Sequence, residues 1–596
     1  MTEQAQPAHD PGAAGPGPDG AGFTYQGAEQ ELIVVARAEA RLRAEEHGVR
    51  SAAGADVSAL NMFLSDEQLS LEPLFGSEER LEAAAAAGEA PPGPDLALFY
   101  RVRGEQSRAQ ELRSRIAALP GVDTAYVKPG AVPAATLGQY GQYGQSADDS
   151  QRRKEGARVT PDFTGRQGYL RPAPEGVDAY WAWQRPGGSG EGVTVIDVEG
   201  AWQLGHEDLS AKLAGVVVGT PLQDLAWRNH GTAVLGVIGG DRSERGEQAE
   251  RGERAERGIV GIVPETVTAA ASFAGIGSAA AIHKAAERLS PGDIVLIELH
   301  RPGPQFDFAT RDDQRGYIAL EWWPDDYAAI RHATARGVLV VGAAGNGSES
   351  LDDAAYERRP DEFPEWWRNP FNPANELSGA VLVGAGAPPP GTHGRDHGPD
   401  RSRLAFSNYG ARVDAQGWGR ETTTTGGFWN RPGDLQGGAE EIAWYTDTFS
   451  GTSSASPIVV GALASLQGML KAAGQAPLQP RRAREVLRAT GSPQQDAPGR
   501  PASQRIGSRP DIKAAVAHLL PSAIGTGQAE RYWDELVPYP RELPPRLRLF
   551  VAGAWRNLND PSPETRQAVH AAFAGGRPDV RVWFADDQVV GLVIAG

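Results

Sequence analysis

The 596-residue chain contains no cysteine, which excludes disulfide bonds, thiolate metal sites and a cysteine nucleophile. Lysine is scarce too, with six residues among the 58 basic side chains, so the basic residues are almost all arginine. Acidic residues number 76 and the net charge is −18. This balance argues against a protein that binds nucleic acid or another polyanion.

The sequence also lacks any run of about 18 apolar residues, so we expect no membrane span. The longest candidate, residues 458–470, is too short and is typical of a buried helix. The first residues contain neither a basic region nor an apolar core of the kind found in a secretory signal. These features favour a cytoplasmic protein, with export by a non-classical route left open.

Glycine and proline are abundant, with 74 and 45 residues, about a fifth of the chain. This share stays below the roughly 25–30% that indicates disorder throughout, so we expect many loops around a globular part. Changes in composition divide the chain into five segments. They are a disordered tail at 1–22, a small α+β domain at 23–130, a flexible linker at 131–161, a large α/β block at 162–520 and a small α+β appendage at 521–596.

The segment 23–130 has a strand–helix–strand pattern, with β-rich runs at 32–37, 96–102 and 122–127. Between the last two, Ser107 is a candidate cap for a helix that continues to Leu119. The following tract is rich in glycine, glutamine and tyrosine and then charged, with no apolar periodicity. Such a tract favours a linker, and exposed linkers are where proteolytic nicking concentrates. The plausible cleavage positions include Leu137, Tyr140, Tyr143 and the pair Arg152-Arg153.

In the large block, apolar runs at 193–196, 294–297, 338–341 and 381–383 alternate with helical stretches. Near-continuous apolar strands separated by helices predict a parallel sheet that is covered on both faces.

Four chemically capable side chains lie at the ends of segments in this block. They are Asp197 after the run 193–196, His230 in Asn-His-Gly-Thr at 229–232, Asn346 after the run 338–345, and Ser453 in Gly-Thr-Ser-Ser-Ala-Ser-Pro at 451–457. Each pattern alone is typical of a turn, a cap or a loop. All four together in one α/β block indicate a catalytic site.

The chemistry of these residue types is complementary. A serine hydroxyl is a poor nucleophile until a base takes its proton, and His230 is a suitable base near neutral pH. Asp197 can hold His230 in the required tautomer. The Asn346 amide and the Ser453 backbone N–H can stabilise an oxyanion, helped by the positive end of a helix that begins near Ser453.

These motifs resemble the subtilisin-like serine peptidases, over roughly residues 162–520. The resemblance implies a parallel sheet of about seven strands with helices on both faces. It also implies endopeptidase activity on polypeptides, a triad of Asp197, His230 and Ser453, and Asn346 as the oxyanion residue. Residues 23–130 resemble the propeptide of the family in position and pattern, which implies an intramolecular inhibitor. The alternative is a permanent regulatory or partner-binding domain.

The resemblance also implies two walls of a substrate cleft. One is Glu298-Leu299-His300, where the family usually has Ser-Leu-Gly, and the other is Ala343-Ala344-Gly345. Glu298 either biases the cleft towards basic side chains or faces away. The pairs at 322–323 and 366–367 are tryptophans that either rim the cleft or pack on the core.

No cofactor is implied. A structural calcium is possible, but a Glu-Arg-Gly repeat at 244–258 replaces the loop that binds it in many relatives, so we predict no metal ligand. Two other functions stay open at this point. One is a peptide ligase or macrocyclase of the same fold, and the other is a binding scaffold whose protease core has decayed.

Overall fold

A computed structural model describes most of the chain. The described ranges are 29–88, 93–104, 106–135, 160–209, 211–241, 258–520, 525–535, 546–558, 561–575, 579–585 and 588–595. The tail predicted at 1–22 and the linker from 136 to 159 lie outside them. The chain divides into two compact units, Met1–Ala515 and Val516–Gly596.

The first unit opens with a small α+β domain, as the sequence predicts. Its strands are β1 (Glu31–Ala36), β2 (Leu42–Glu45), β3 (Gly48–Ser51), β4 (Ser70–Pro73), β5 (Phe99–Arg103) and β6 (Val122–Lys128). Its helices are α1 (Ser58–Asp66), α2 (Glu78–Ala86) and α3 (Ala109–Ala117). Four strands form one antiparallel sheet in the order β4-β5-β1-β6. The helix predicted from Ser107 to Leu119 is α3, which is two residues shorter at each end.

Both faces of this small sheet are buried, and strand β1 shows how. Side chains alternate between the two faces of a strand. Leu32 and Val34 join the core of the small domain itself. Ile33 and Val35 instead join a core cluster that contains the central strands and helices of the large block. The small domain is therefore packed onto the large block through one face of its sheet.

The large block contains the predicted parallel sheet of seven strands. Its strands and those around it are β7 (Val132–Pro133), β8 (Thr194–Glu199), β9 (Leu213–Val218), β10 (Val267–Ser272), β11 (Ile294–Ile297), β12 (Leu299–Pro302), β13 (Tyr317–Ala319), β14 (Leu339–Ala343), β15 (Val381–Gly386), β16 (Ala415–Trp418), β17 (Thr422–Thr425) and β18 (Tyr445–Phe449). The sheet order is β16-β15-β14-β11-β8-β10-β9, and every pairing in it is parallel.

The helices of this block are α4 (Ala179–Ala182), α5 (Leu225–Gly239), α6 (Ser278–Ala286), α7 (Pro324–Ala335), α8 (Thr452–Ala472) and α9 (Pro480–Thr490). Helices α6 and α7 share a core cluster with Ile196 and Val198 of β8. The alternate positions of β8, Asp197 and Glu199, therefore face the opposite side of the sheet.

Helix α8 is long and apolar enough to cross a membrane, but the apolar segment is entirely buried inside the fold. This arrangement is that of a core helix, as the sequence predicts.

Helix α10 (Ile512–Leu519) spans the boundary between the units. The second unit contains β19 (Gly525–Asp534), β20 (Leu547–Val551), β21 (Ala554–Leu558), α11 (Pro563–Ala574), β22 (Asp579–Ala585) and β23 (Gln588–Ala595). Its five strands close into a small barrel in the order β19-β20-β21-β23-β22. The predicted α+β appendage is therefore present.

A buried ion cluster joins the small domain to the large block. Lys128 at the end of β6 is fully buried and lies 2.5 Å from Asp325 Oδ2 and 3.3 Å from Asp326 Oδ2, both in the first turn of α7. Glu31 of β1 accepts a 2.6 Å hydrogen bond from Arg301. Burial opposes ionisation of Glu31, but Lys128 and Arg301 outweigh it and lower its pKa to about 2.

This cluster predicts a large effect for Lys128→Ala. Removing Lys128 leaves the buried Asp325 without its cation and Asp326 with only Arg301 at 3.8 Å, which costs about 3–5 kcal/mol. We expect correspondingly faster hydrogen exchange of the β1 and β6 amides in the intact chain. Lys212→Ala is the matched control, because its 3.2 Å pair with Glu265 is about half exposed and such pairs contribute about 1 kcal/mol or less. Equal exchange rates in the two variants would contradict the assignment.

Candidate active site

Strand β8 brings two carboxyl groups to one side of the sheet. Asp197 and Glu199 are separated by one residue, so both side chains point to the same face near the carboxyl end of the strand. Both are fully buried. The sequence predicts a site role for Asp197 but none for Glu199. The spacing Asp-x-Glu at the end of a strand is the signal that indicates Glu199.

A third carboxyl group comes from the neighbouring strand. Ile297, the last residue of β11, is paired in parallel with Val198 of β8. The next residue, Glu298, is therefore level with Glu199 and lies on the same side of the sheet. Its side chain is fully buried.

His230 reaches this group of acids from helix α5. The helix begins after Asp224, whose side chain caps it by accepting from the Trp227 N–H at 3.0 Å. His230 lies in the second turn and is 6% exposed. Glycine at 231 allows α5 to approach the end of β8, because a Cβ there would lie 2.4 Å from the Ala201 carbonyl oxygen.

Ser453 is the second residue of helix α8 and is fully buried. The turn that delivers it requires glycine at 451, which has a φ of 109°. A Cβ at Gly451 would also lie 2.3 Å from the Ala134 carbonyl oxygen. Glycine therefore permits both the turn and the close approach of the segment that contains Ala134.

The structure pairs His230 with Glu199. His230 Nδ1 lies 2.5 Å from Glu199 Oε1, within hydrogen-bond distance. Asp197 Oδ2 instead accepts a 2.7 Å hydrogen bond from the Trp202 indole N–H. Glu199 thus occupies the orienting position that the sequence predicts for Asp197. With its proton on Nδ1, the imidazole keeps a lone pair on Nε2.

Burial controls the pKa values in this site. It raises the pKa of Asp197 well above its usual range, with Glu199 adding to the effect, and it also raises that of Glu199. Burial lowers the pKa of His230 to about 4, although the negative charge of Asp197 opposes this. The site therefore favours neutral groups.

His230 Nε2 and Ser453 Oγ are completely buried and lack a hydrogen-bond partner among the described residues, as do one oxygen each of Asp197 and Glu199 and both oxygens of Glu298. A buried polar atom without a partner is costly, and a catalytic role is one explanation for it. His230 and Ser453 are the residues that the sequence predicts as the base and the nucleophile.

Asn346 adjoins the nucleophile. Its side-chain oxygen accepts 3.0 Å hydrogen bonds from the backbone N–H and the hydroxyl of Thr452. Its side-chain N–H₂ lies 3.3 Å from Gln314 Oε1. The amide is thus oriented by the residue next to Ser453.

Residues 132–135 lie in the cleft, although the sequence predicts that the flexible linker begins at 131. Strand β7 pairs antiparallel with β12, with Pro133 opposite Leu299 and Val132 opposite His300. The Ala134 N–H donates to the Glu298 carbonyl at 3.0 Å, and the Ala134 carbonyl accepts from the Ser453 N–H at 3.1 Å.

The two predicted walls are placed as follows. The backbone of Glu298-Leu299-His300 contacts residues 132–134 as an adjacent strand. Ala343-Ala344-Gly345 ends β14 and leads into Asn346, and all three residues are buried. The His300 ring accepts a 3.3 Å hydrogen bond from the Asn346 N–H.

The Glu-Arg-Gly repeat at 244–258, where the sequence predicts no calcium ligand, lies outside the described residues except for its last glycine. Asp208, a buried acid near it, already accepts a 2.8 Å hydrogen bond from the Ile259 N–H.

Comparisons with known proteins agree with this fold. The model of the subtilase family matches residues 193–507. The patellamide maturation protease is 21% identical, with a TM-score of 0.36 and coverage of 55% of this chain and 97% of that chain. Fervidolysin from Fervidobacterium pennivorans, a keratinolytic enzyme, is 17% identical, with a TM-score of 0.45 and coverage of 86% and 64%. The epidermin leader peptide processing serine protease from Staphylococcus aureus is 15% identical, with a TM-score of 0.44 and coverage of 83% and 100%. No curated protein matches the sequence significantly.

The buried imidazole gives a prediction for pH. The folded-state pKa of His230 is about 4, below the roughly 6.5 of an unfolded chain. The stability that this difference contributes is present above pH 6.5 and is lost as the pH falls towards 4. We expect the His230 ring resonances of intact Ser453→Ala protein to stay constant from pH 8 to 5 in spectra of ¹³C-labelled histidine. His230→Gln identifies the signal, and a midpoint near 6.5 would contradict the prediction.

Proposed function

Since the chain belongs to the subtilase family of serine proteases, we propose that it is an endopeptidase with Ser453 as nucleophile and His230 as base. The observation that carries this proposal is the position of Ala134. Its carbonyl oxygen accepts from the Ser453 N–H at 3.1 Å, beside the unpartnered Ser453 hydroxyl. A substrate carbonyl held there receives an oxyanion donor and a nucleophile together.

The reaction follows from these positions. His230 Nε2 accepts the hydroxyl proton while Ser453 Oγ bonds to the carbonyl carbon. The negative charge that forms on the carbonyl oxygen is stabilised by the Ser453 N–H and by the start of α8. His230 then donates the proton to the leaving amine, and water resolves the acyl-enzyme. Asn346 is the second oxyanion donor once its N–H₂ turns from Gln314 to the substrate.

Glu199 orients the base in this proposal. When Glu199 is ionised, its carboxylate accepts the Nδ1 proton of His230, which selects the tautomer that leaves Nε2 free and stabilises the imidazolium. Asp197 lies behind Glu199 on the same strand and supports it without touching His230.

The N-terminal domain is the first ligand of this site in our proposal. Residues 132–134 occupy the cleft as an added antiparallel strand, and the rest of the domain is packed on α6 and α7. This arrangement supports an intramolecular inhibitor. It also makes Ala134–Ala135 the peptide bond closest to attack.

Self-processing predicts a defined new N-terminus. Wild-type protein should yield a mature chain that begins at Ala135, because Ala134 supplies the carbonyl bound to Ser453. Mass spectrometry of the purified protein measures the terminus. Ser453→Ala should remain uncut, since Ser453 is the nucleophile in this proposal. A fully active wild-type enzyme that retains residues 29–134 would refute self-processing and leave a permanent regulatory domain.

The His230–Glu199 contact predicts the effect of Glu199→Gln. An amide cannot enforce the same tautomer, so kcat should fall by about 10⁴-fold. Asp197→Asn should cost less, because no hydrogen bond joins Asp197 to His230 among the described residues. The kcat of both variants is measured as peptide hydrolysis by enzyme whose N-terminal segment has been removed or is expressed as a separate chain. Glu265→Gln, a substitution on the surface, is the control. A larger loss in Asp197→Asn than in Glu199→Gln would return the orienting role to Asp197.

A further inference from the structure

The side chain of Glu298 has no role in the mechanism so far. It is fully buried, and neither of its carboxyl oxygens has a hydrogen-bond partner among the described residues. Burying a carboxyl group without a partner is costly. The hydrogen bond from Ala134 to the Glu298 main-chain carbonyl does not explain why the side chain is a buried carboxyl group, because any residue offers the same carbonyl.

Two buried acids elsewhere in the large block have cations. Glu321 accepts a 2.8 Å hydrogen bond from Arg412, and Asp414 binds Arg412 and Arg484 at 2.8 and 2.9 Å. Those contacts explain a structural acid. Glu298 has no such contact, so an analogous structural role does not account for it.

The backbone places Glu298 beside the nucleophile. Ala134 bridges the two residues, with its N–H on the Glu298 carbonyl and its carbonyl on the Ser453 N–H, at 3.0 and 3.1 Å. One residue, Ala134, therefore lies between them. The register with β8 directs the Glu298 side chain to the same face as Glu199, where Ser453 lies.

The neighbours of Glu298 confirm that direction. Burial raises its pKa well above the usual range, and the negative charges of Asp197 and Glu199 raise it further. The Ser453 hydroxyl acts the other way and lowers it, without reaching full hydrogen-bond geometry. His230 and His300 are the basic groups closest along the adjoining elements, and each is held neutral by burial.

We propose that Glu298 is a second general base for Ser453, which deepens and rests on the proposed function. The Ser453 O–H bond breaks as Oγ bonds to the carbonyl carbon, and the proton passes to a Glu298 carboxylate oxygen. The carbonyl π electrons move to the oxyanion. The neutral Glu298 carboxyl group then returns the proton to the leaving nitrogen as the C–N bond breaks.

Two bases thus flank one hydroxyl. The His230–Glu199 pair approaches from α5 and β8, and Glu298 approaches from the end of β11. A carboxyl group whose pKa is raised above its usual range is a stronger general base once it is ionised. Where the environments of two titratable groups move their pKa values apart, one group can act as the acid and the other as the base.

The test compares kcat/KM against pH for wild type, Glu298→Gln, His230→Ala and the double variant, on mature enzyme. We expect His230→Ala to retain a residual rate that depends on one ionisation, and Glu298→Gln to lower that residual rate by about 10²-fold or more. Glu298→Gln alone should lower kcat rather than raise KM and should remove one ionisation from the pH profile. Glu298→Asp should restore part of the rate. Glu376→Gln, an exposed acid, should change nothing.

The outcomes separate this proposal from the function on which it rests. If Ser453→Ala abolishes hydrolysis while Glu298→Gln leaves kcat, the pH profile and the His230→Ala residual rate unchanged, Glu298 is no base and the endopeptidase stands. If wild type shows no hydrolysis that depends on Ser453, both are refuted. If Glu298→Gln lowers kcat with no change in ionisations, Glu298 is structural and the proposal falls.

Discussion

Three carboxyl groups share one buried site beneath Ser453, and the other features of that site depend on how their charge is managed. Asp197, Glu199 and Glu298 are all fully buried, and no lysine or arginine pairs with them among the described residues. Such groups cannot all be ionised at once in a medium of low dielectric constant. Protons must therefore be shared among them and with His230.

The parallel sheet creates this concentration of acids. Asp197 and Glu199 come from alternate positions of β8, and Glu298 directly follows the neighbouring strand β11. The register between these two strands therefore brings the three acids together. Glycine at 231 in α5 and at 451 just before α8 lets the segments that carry His230 and Ser453 approach the backbone around them closely. The site is thus a consequence of backbone positions that any substitution of Gly231 or Gly451 would disturb.

Much of this could be predicted from the sequence, because apolar strands and short motifs carry strong local signals. The seven-stranded sheet, Ser453 and His230 were of this kind. The sequence prediction does not include Glu199, because one acid at the end of the strand already satisfies the family pattern. Side chains alternate along a strand, so residue 199 faces the same side as residue 197. The start of the linker was wrong for a different reason. Residues 132–135 have no pattern of their own, and only the edge of β12 gives them a strand partner. The paired tryptophans show the same limit: Trp322, Trp323 and Trp367 are buried and Trp366 is 40% exposed, which the order of residues did not decide.

The N-terminal segment affects the pKa values of the three acids by excluding solvent from the cleft. Burial is the first cause of the raised pKa of Asp197, Glu199 and Glu298, and residues 132–134 cover the cleft that would otherwise admit solvent. The ion cluster around Lys128 holds the domain that carries this segment. Water that enters the cleft stabilises the charged form of a carboxyl group and so lowers its pKa. The same contacts that seal the cleft therefore raise the pKa of its acids and favour their protonated forms.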